Sequence, residues 1–139
     1  MSNQPYGAPL EGKTKVLGLS YSIAGLLCYL PVCCINLISS ILWMATEPKE
    51  NKVLRFHALQ SLLLIGIWIV LWVIFMFLGV GMAFAPSDTA SAAGGGLISL
   101  IWFAVIAIYI LLCIIGMVKA YQGQIWKIPI IGDIADKNT

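Results

Sequence analysis

Between Lys15 and Glu47 the chain carries no charged side chain, and between Arg55 and Lys119 the only one is Asp88. No other feature constrains the fold as tightly. A cation at the centre of a bilayer costs about 2.5–3.5 kcal/mol even on the milder insertion scales, so long charge-free tracts mark a membrane chain. Soluble domains carry roughly 25% charged residues, whereas this 139-residue chain has 10%, against 60% hydrophobic. It lacks the polar side chains to cover a globule in water. In lipid every backbone group must be satisfied internally, which leaves helices for a chain of this kind. The expectation is a single all-α integral membrane bundle.

Three apolar runs emerge: Val16 to Ala45, His57 to about Gly79, and Leu97 to Val118. The last two would be roughly 33–35 Å long as helices, a match to a hydrocarbon core of about 30 Å. The first is too long for one comfortable crossing, at about 45 Å, and Pro31 lies near its midpoint. A proline inside a helix kinks or breaks it. Two readings follow: one kinked span, or a tight hairpin of Val16 to Tyr29 and Val32 to Ala45. The cations discriminate between them. In the hairpin all eight Lys and Arg residues share one side, as the positive-inside bias favours, and the far loop keeps only Asp88. A turn at membrane depth then needs its backbone covered by protein. Gly18, Ser22 and Gly25 supply small residues for close packing. The hairpin fits better, and about four helices are expected.

Residues 1–15 read as a disordered cytoplasmic tail, 16–118 as the transmembrane bundle and 119–139 as a cytoplasmic motif segment. The run after Lys15 is far longer than a signal h-region of about 7–15 residues, so no cleavable signal is expected. Residues 79–96, "GVGMAFAPSDTASAAGGG", suit a plain extracytoplasmic linker. In the tail, Pro129 and Gly132 are expected to stop any helix leaving the membrane, and "GDIAD" to begin a short terminal one with Asp133 at its N-terminus. Tyr121 and Trp126 read as interface anchors. Cys28, Cys33, Cys34 and Cys113 lie in apolar runs without a C-x-x-C pair, and read as small hydrophobes.

Two polar motifs stand out against the oil: "NKVLRFHALQSLLL" at 51–64 and "AYQGQIWKIPIIGDIAD" at 120–136. Together they resemble a large family of small prokaryotic membrane proteins of unknown function. They are more distantly similar to the chloroplast inner-envelope import-channel subunit and to magnetosome MamF-like proteins. In those groups an aromatic follows arginine, Asn or His comes next, then Ala-x-Gln, and the final helix leads to Ile-Pro. The resemblance implies a compact bundle of about four helices with both termini on the cytoplasmic (or stromal) side. The chain lacks the long N-terminal extension of the plant proteins.

On a helix His57, Gln60 and Ser61 share one face, one turn after Lys52, Arg55 and Phe56. In the plain reading, the cations snorkel to phosphates while His57 and Gln60 bond neighbouring helices. A sharper one is a clamp: Arg55 pairs with Asp133 or Asp136, and His57 and Gln60 bond backbone freed between Gly123 and Gly132. A third makes Lys52, Arg55, Lys119 and Lys127 a basic pocket for an anionic lipid headgroup or a transported ion. The candidate motif is therefore Arg55, His57, Gln60, Ser61, Lys127, Pro129, Gly132, Asp133 and Asp136. Catalysis is not expected, since His57 is the sole histidine and no group to orient a base can be named. Neither a cofactor nor a metal is expected. The expected partners are the bilayer, anionic headgroups, and a second copy or another membrane protein, with no nucleic acid. The expected function is a non-enzymatic structural, accessory or assembly role. The alternative is an oligomeric channel or transporter-like component of the kind related to protein translocation, although the second and third runs are apolar through their middles.

Overall fold

The computed structural model describes residues 12–32, 34–84 and 86–139. Residues 1–11 of the tail expected over 1–15, and Cys33 as a buried hydrophobe, lie outside them. Among the described residues there are five helices and no β-strand: α1 (Tyr21–Leu27), α2 (Ile35–Thr46), α3 (Lys52–Ala83), α4 (Asp88–Tyr121) and α5 (Ile131–Lys137). They form two compact units, Met1–Ile65 with Leu112–Thr139, and Gly66–Leu111.

In the first unit the long apolar run is a hairpin, α1 packed on α2. Proline cannot continue a helix and disfavours the helical region for the residue before it, and Leu30-Pro31 lies in the break. The helices are shorter than the sequence suggests. Residues 15–18 form a turn, α1 begins at Tyr21, and α2 begins at Ile35 after Cys34 turns the chain at φ 64. At about 1.5 Å per residue, α1 is roughly 10 Å long and α2 roughly 18 Å, so neither crosses a bilayer core alone.

The carbonyls left free at the break are met by side chains. The Trp43 indole Nε1 donates to Ala24 O (3.1 Å) and the Ser61 hydroxyl donates to Cys28 O. This is the cover that non-helical backbone needs at membrane depth. Meanwhile the outer side of the hairpin is oily, with Ile23, Val32, Ile38 and Ile41 exposed.

Two expectations about this unit are corrected. Gly18, Ser22 and Gly25 do not make one stripe, because Gly18 lies in the turn with nothing within 4 Å. The close approach is made by α4 instead. A Cβ on Gly116 would stand 2.6 Å from the Tyr29 ring, and one on Gly25 would stand 3.1 Å from Ala120 Cβ. Gly116 and Ala120 are four apart, a small-x-x-x-small pair. Nor are residues 12–15 loose: Thr14 is 3% exposed, and the Lys15 amide donates to Glu47 Oε1 (2.9 Å). Cys28 and Cys113 are buried, but Cys34 is exposed, since it ends the break rather than filling a core.

The second unit holds residues 66–83 of α3 and 88–111 of α4, roughly 27 Å and 36 Å of helix. Most of its side chains are apolar and face outward; Phe77 is 74% exposed. Inside, Trp68 stacks on Trp102 (5.1 Å between ring centres) and on Tyr109 (4.4 Å), and Phe75 lies 4.7 Å from Trp102. The linker expected over 79–96 is helical at both ends. α3 runs to Ala83, and α4 starts at Asp88, not Leu97. Ser87 caps α4 by accepting the Ala90 amide (3.2 Å), and Asp88 lends negative charge to its first turn. Alanines then carry the helix past its glycines.

Candidate functional site: a saturated polar clamp

The first three turns of α3 carry the polar residues that an apolar helix would otherwise exclude. His57, Gln60 and Ser61 are all buried. Their partners come from two places, the α1–α2 break and the segment between α4 and α5.

That segment exists because α4 stops at a glycine. Gly123 adopts φ 69; its amide donates to Ala120 O (3.1 Å) and the Gln124 amide to Lys119 O (3.0 Å). This pair of bonds is a Schellman cap, which needs a left-handed residue that glycine supplies without steric penalty. Gly123, rather than Pro129 or Gly132, ends the helix. The chain then turns back, and its freed backbone meets α3.

His57 Nε2 lies 2.9 Å from Gln124 O, and Nδ1 lies 3.1 Å from the Tyr29 hydroxyl. A carbonyl only accepts, so Nε2 carries the proton and the neutral ring accepts from Tyr29 at Nδ1. Tyr29 accepts in turn from Gln60 Nε2 (3.0 Å). The same amide nitrogen donates to Trp126 O (3.1 Å), while Gln60 Oε1 accepts the Ile128 amide (3.2 Å). Ser61 takes the other direction, accepting from Ser40 (3.1 Å) and donating to Cys28 O. Every polar atom of His57 and Gln60, and the Ser61 hydroxyl, is thus committed to this chain. Such completeness removes the desolvation penalty of about 1–3 kcal/mol for each buried group left unpaired.

The return of the tail onto Gln60 is tight. Ile130 sits at φ 71, ψ −57, and the Ile131 amide donates to Pro129 O (2.9 Å) across it, a γ-turn of the strained sense. Pro129 provides that acceptor carbonyl. Gly132 does not break a helix; it is the second residue of α5. A Cβ there would lie 2.6 Å from Lys127 Cα and 2.9 Å from Gln60 Oε1. Only glycine lets α5 approach so closely.

Arg55 is not part of this pairing. Its Nη1 donates to Met44 O and Glu47 O (both 2.9 Å), closing the C-terminal end of α2, where backbone carbonyls lack helical partners. The expected partners Asp133 and Asp136 instead meet Lys127, at 3.6 and 2.7 Å. The reason is reach: Lys127 and α5 are local neighbours, while Arg55 starts a helix whose nearest free carbonyls end the one before. The hydrogen bond that the Lys127 ammonium donates to Asp136, and the charges of both acids, hold it above its ordinary pKa. Lys119 gives its ammonium to Gln124 Oε1 (2.8 Å), beside the carbonyl that His57 uses. Of the four cations read as a basic pocket, then, Arg55, Lys119 and Lys127 have partners within the chain. Among the described residues no group of three or more His, Cys, Asp or Glu gathers as a metal site would.

Sequence reasoning missed Tyr29, Ser40 and Trp43. Each sits inside an apolar run, where a lone hydroxyl or indole gives no signal until its partner is in place. Gly123 was legible, being the first glycine after a long helix.

The family model described as the magnetosome magnetite crystal formation protein family matches residues 14–135. The chain belongs to that family. It is also 40% identical over 126 residues to a UPF0132 membrane protein of Methanocaldococcus jannaschii, covering 91% of this chain and 94% of that one. A second UPF0132 membrane protein of that archaeon is 32% identical over 125 residues, covering 90% and 74%. One from Archaeoglobus fulgidus is 32% identical over 117 residues, covering 84% and 92%. No solved structure matches. The matched span contains the hairpin, both long helices and the clamp. This family member is a helical membrane protein, with two helices long and apolar enough to cross.

Proposed function

We propose that the chain is a non-enzymatic structural or accessory component of the cell (inner) membrane, multi-pass, with both termini cytoplasmic. One observation carries the reading. The buried polar atoms of His57, Gln60 and Ser61 are spent on the chain's own backbone and hydroxyls. A transport or catalytic site leaves groups open to its cargo or substrate; a clamp uses them up. In this role the clamp holds the tail and the hairpin against α3 as one platform on which a second copy or another membrane protein assembles. The gathering of Lys and Arg on one side of the hairpin supports the topology.

The test is ion flux in proteoliposomes, wild type against His57→Leu with Gln60→Leu. The scaffold reading expects no flux above empty vesicles from either. Flux in the wild type that vanishes in the variant would make the chain a channel-like component. For topology, an alkaline phosphatase fusion after Thr139 should be inactive and one after Pro86 active. The reverse pattern overturns the orientation.

A further inference from the structure

Among the described residues, three that are not glycine stand at positive φ: Leu17, Cys34 and Ile130. Cys34 turns the chain into α2, and Ile130 turns the tail back onto Gln60. Leu17 does neither. It is the tip of a closed loop, in which the Tyr21 amide donates to Gly12 O (3.2 Å) and the Thr14 amide to Leu19 O (2.8 Å). The Leu19 amide donates to Thr14 Oγ1 (3.1 Å), and that hydroxyl to Val16 O (2.7 Å). The loop is pinned beside the end of α2 through the Lys15 amide and Glu47. Leu19 points inward and packs on the core. Leu17 points outward at φ 71 and is 71% exposed, although glycine would take that conformation without strain. Lys13 and Lys15, both exposed, stand on the stretch that leads into it and make no ion pair among the described residues.

We propose that this loop is an interfacial anchor for an anionic lipid leaflet. Leu17, with Val16 beside it, enters the acyl boundary, and the ammonium groups of Lys13 and Lys15 meet lipid phosphates. An apolar tip preceded by two cations complements that interface, which offers hydrocarbon below and negative charge above. A protein groove would satisfy Leu17 but would need acids of its own for the lysines. The side on which the loop lies rests on the topology proposed above; the anchoring does not.

The test places an NBD fluorophore at residue 17 of the full chain through a ketone-bearing non-canonical amino acid, so that no cysteine is disturbed. A second sample carries it at exposed Lys49 as an aqueous reference. Both are reconstituted in oriented vesicles of phosphatidylcholine with and without phosphatidylglycerol. The expected result is several-fold brighter emission at 17 than at 49. That emission should be quenched by lipid spin-labelled near the headgroup, more strongly with phosphatidylglycerol, and the anionic dependence should be lost in Lys13→Gln with Lys15→Gln. Emission at 17 as aqueous as at 49 overturns the anchor. So does a probe shielded from water but unquenched by lipid, which would mean that protein covers the tip. Quenching confined to the leaflet opposite Lys49 leaves the anchor standing and removes the shared cytoplasmic side. Leu17→Gly separates anchoring from folding: it should keep thermal stability in detergent yet expose the loop to trypsin at Lys15 in vesicles. Unchanged cleavage counts against the proposal.

Discussion

The two units of this chain solve one problem in opposite ways. Met1–Ile65 with Leu112–Thr139 buries hydrogen-bonding side chains and gives His57, Gln60 and Ser61 a partner for every polar atom, and its glycines at 25, 116 and 132 are pressed against other groups. Gly66–Leu111 packs a half-buried aromatic stack, turns most of its apolar side chains outward, and leaves Gly66, Gly79, Gly81, Gly95 and Gly96 facing open space. The difference has a physical source. Lipid tails are as apolar as leucine, so burying one apolar side chain against another gains little in a membrane; hydrogen bonds and close approach decide which helices pair. A region that must hold one arrangement therefore needs polar pairs and tight glycines. One that must only span needs length and oil.

The sharpest way to break this contrast is to remove the central acceptor and donor of the clamp. Gln60→Leu leaves Trp126 O and the Ile128 amide without their partner, at about 1–3 kcal/mol for each buried group. A loss of about 3 kcal/mol or more is expected in denaturant titration of the detergent-solubilised protein, together with release of residues 122–139 to protease. Trp72→Leu, in the second unit, should shift stability far less. If the two variants lose the same amount, the contrast is empty.

Glycine substitutions sharpen the comparison with the smallest possible change. Gly132→Ala and Gly116→Ala overpack the first unit and should each cost about 1–3 kcal/mol. Gly132→Ala should cost more, because what it meets is backbone. Gly66→Ala and Gly79→Ala meet nothing and should be neutral or gain up to about 1 kcal/mol from helix propensity. Thermal unfolding of the four variants side by side checks the order.

Arg55→Met uncovers the carbonyls that end α2, and a loss of about 1–3 kcal/mol is expected. Because Arg55 bonds carbonyls and not acids, Arg55→Asp combined with Asp133→Arg should recover nothing over Arg55→Asp alone. Recovery would restore the ion pair that the sequence suggested.

The smallest effect belongs to Lys127. Its folded pKa lies above its unfolded one, so its contribution is fully present below the ordinary lysine value of about 10.4 and fades as pH rises through the folded value. The ammonium is exposed, so solvent screens the pair. The stability difference between wild type and Lys127→Met should shrink only above about pH 10, and should fall with salt at neutral pH.

Much of the fold was legible because charge is scarce. The gap from Lys15 to Glu47 with Pro31 inside it implied a hairpin, and the gap from Arg55 to Lys119 implied two long helices. The helix limits were misread where small residues looked like linker: α4 begins at Asp88 because Ser87 caps it. In the site, the return of His57 and Gln60 to backbone after Gly123 was anticipated from their position in oil. The pairing of Arg55 with the tail was not realised, since charge counting ignores free carbonyls. Tyr29 and Ser40 were invisible, for they sit in runs whose neighbours are all apolar.

What the sequence determined unaided is where this protein lives and which stretches are helical, because the free energy of a charge in oil and the geometry of proline and glycine act locally. Only the tertiary structure decided which groups answer one another. A hydrogen bond across 67 residues, as between His57 and Gln124, depends on angle and distance in space, and composition carries neither.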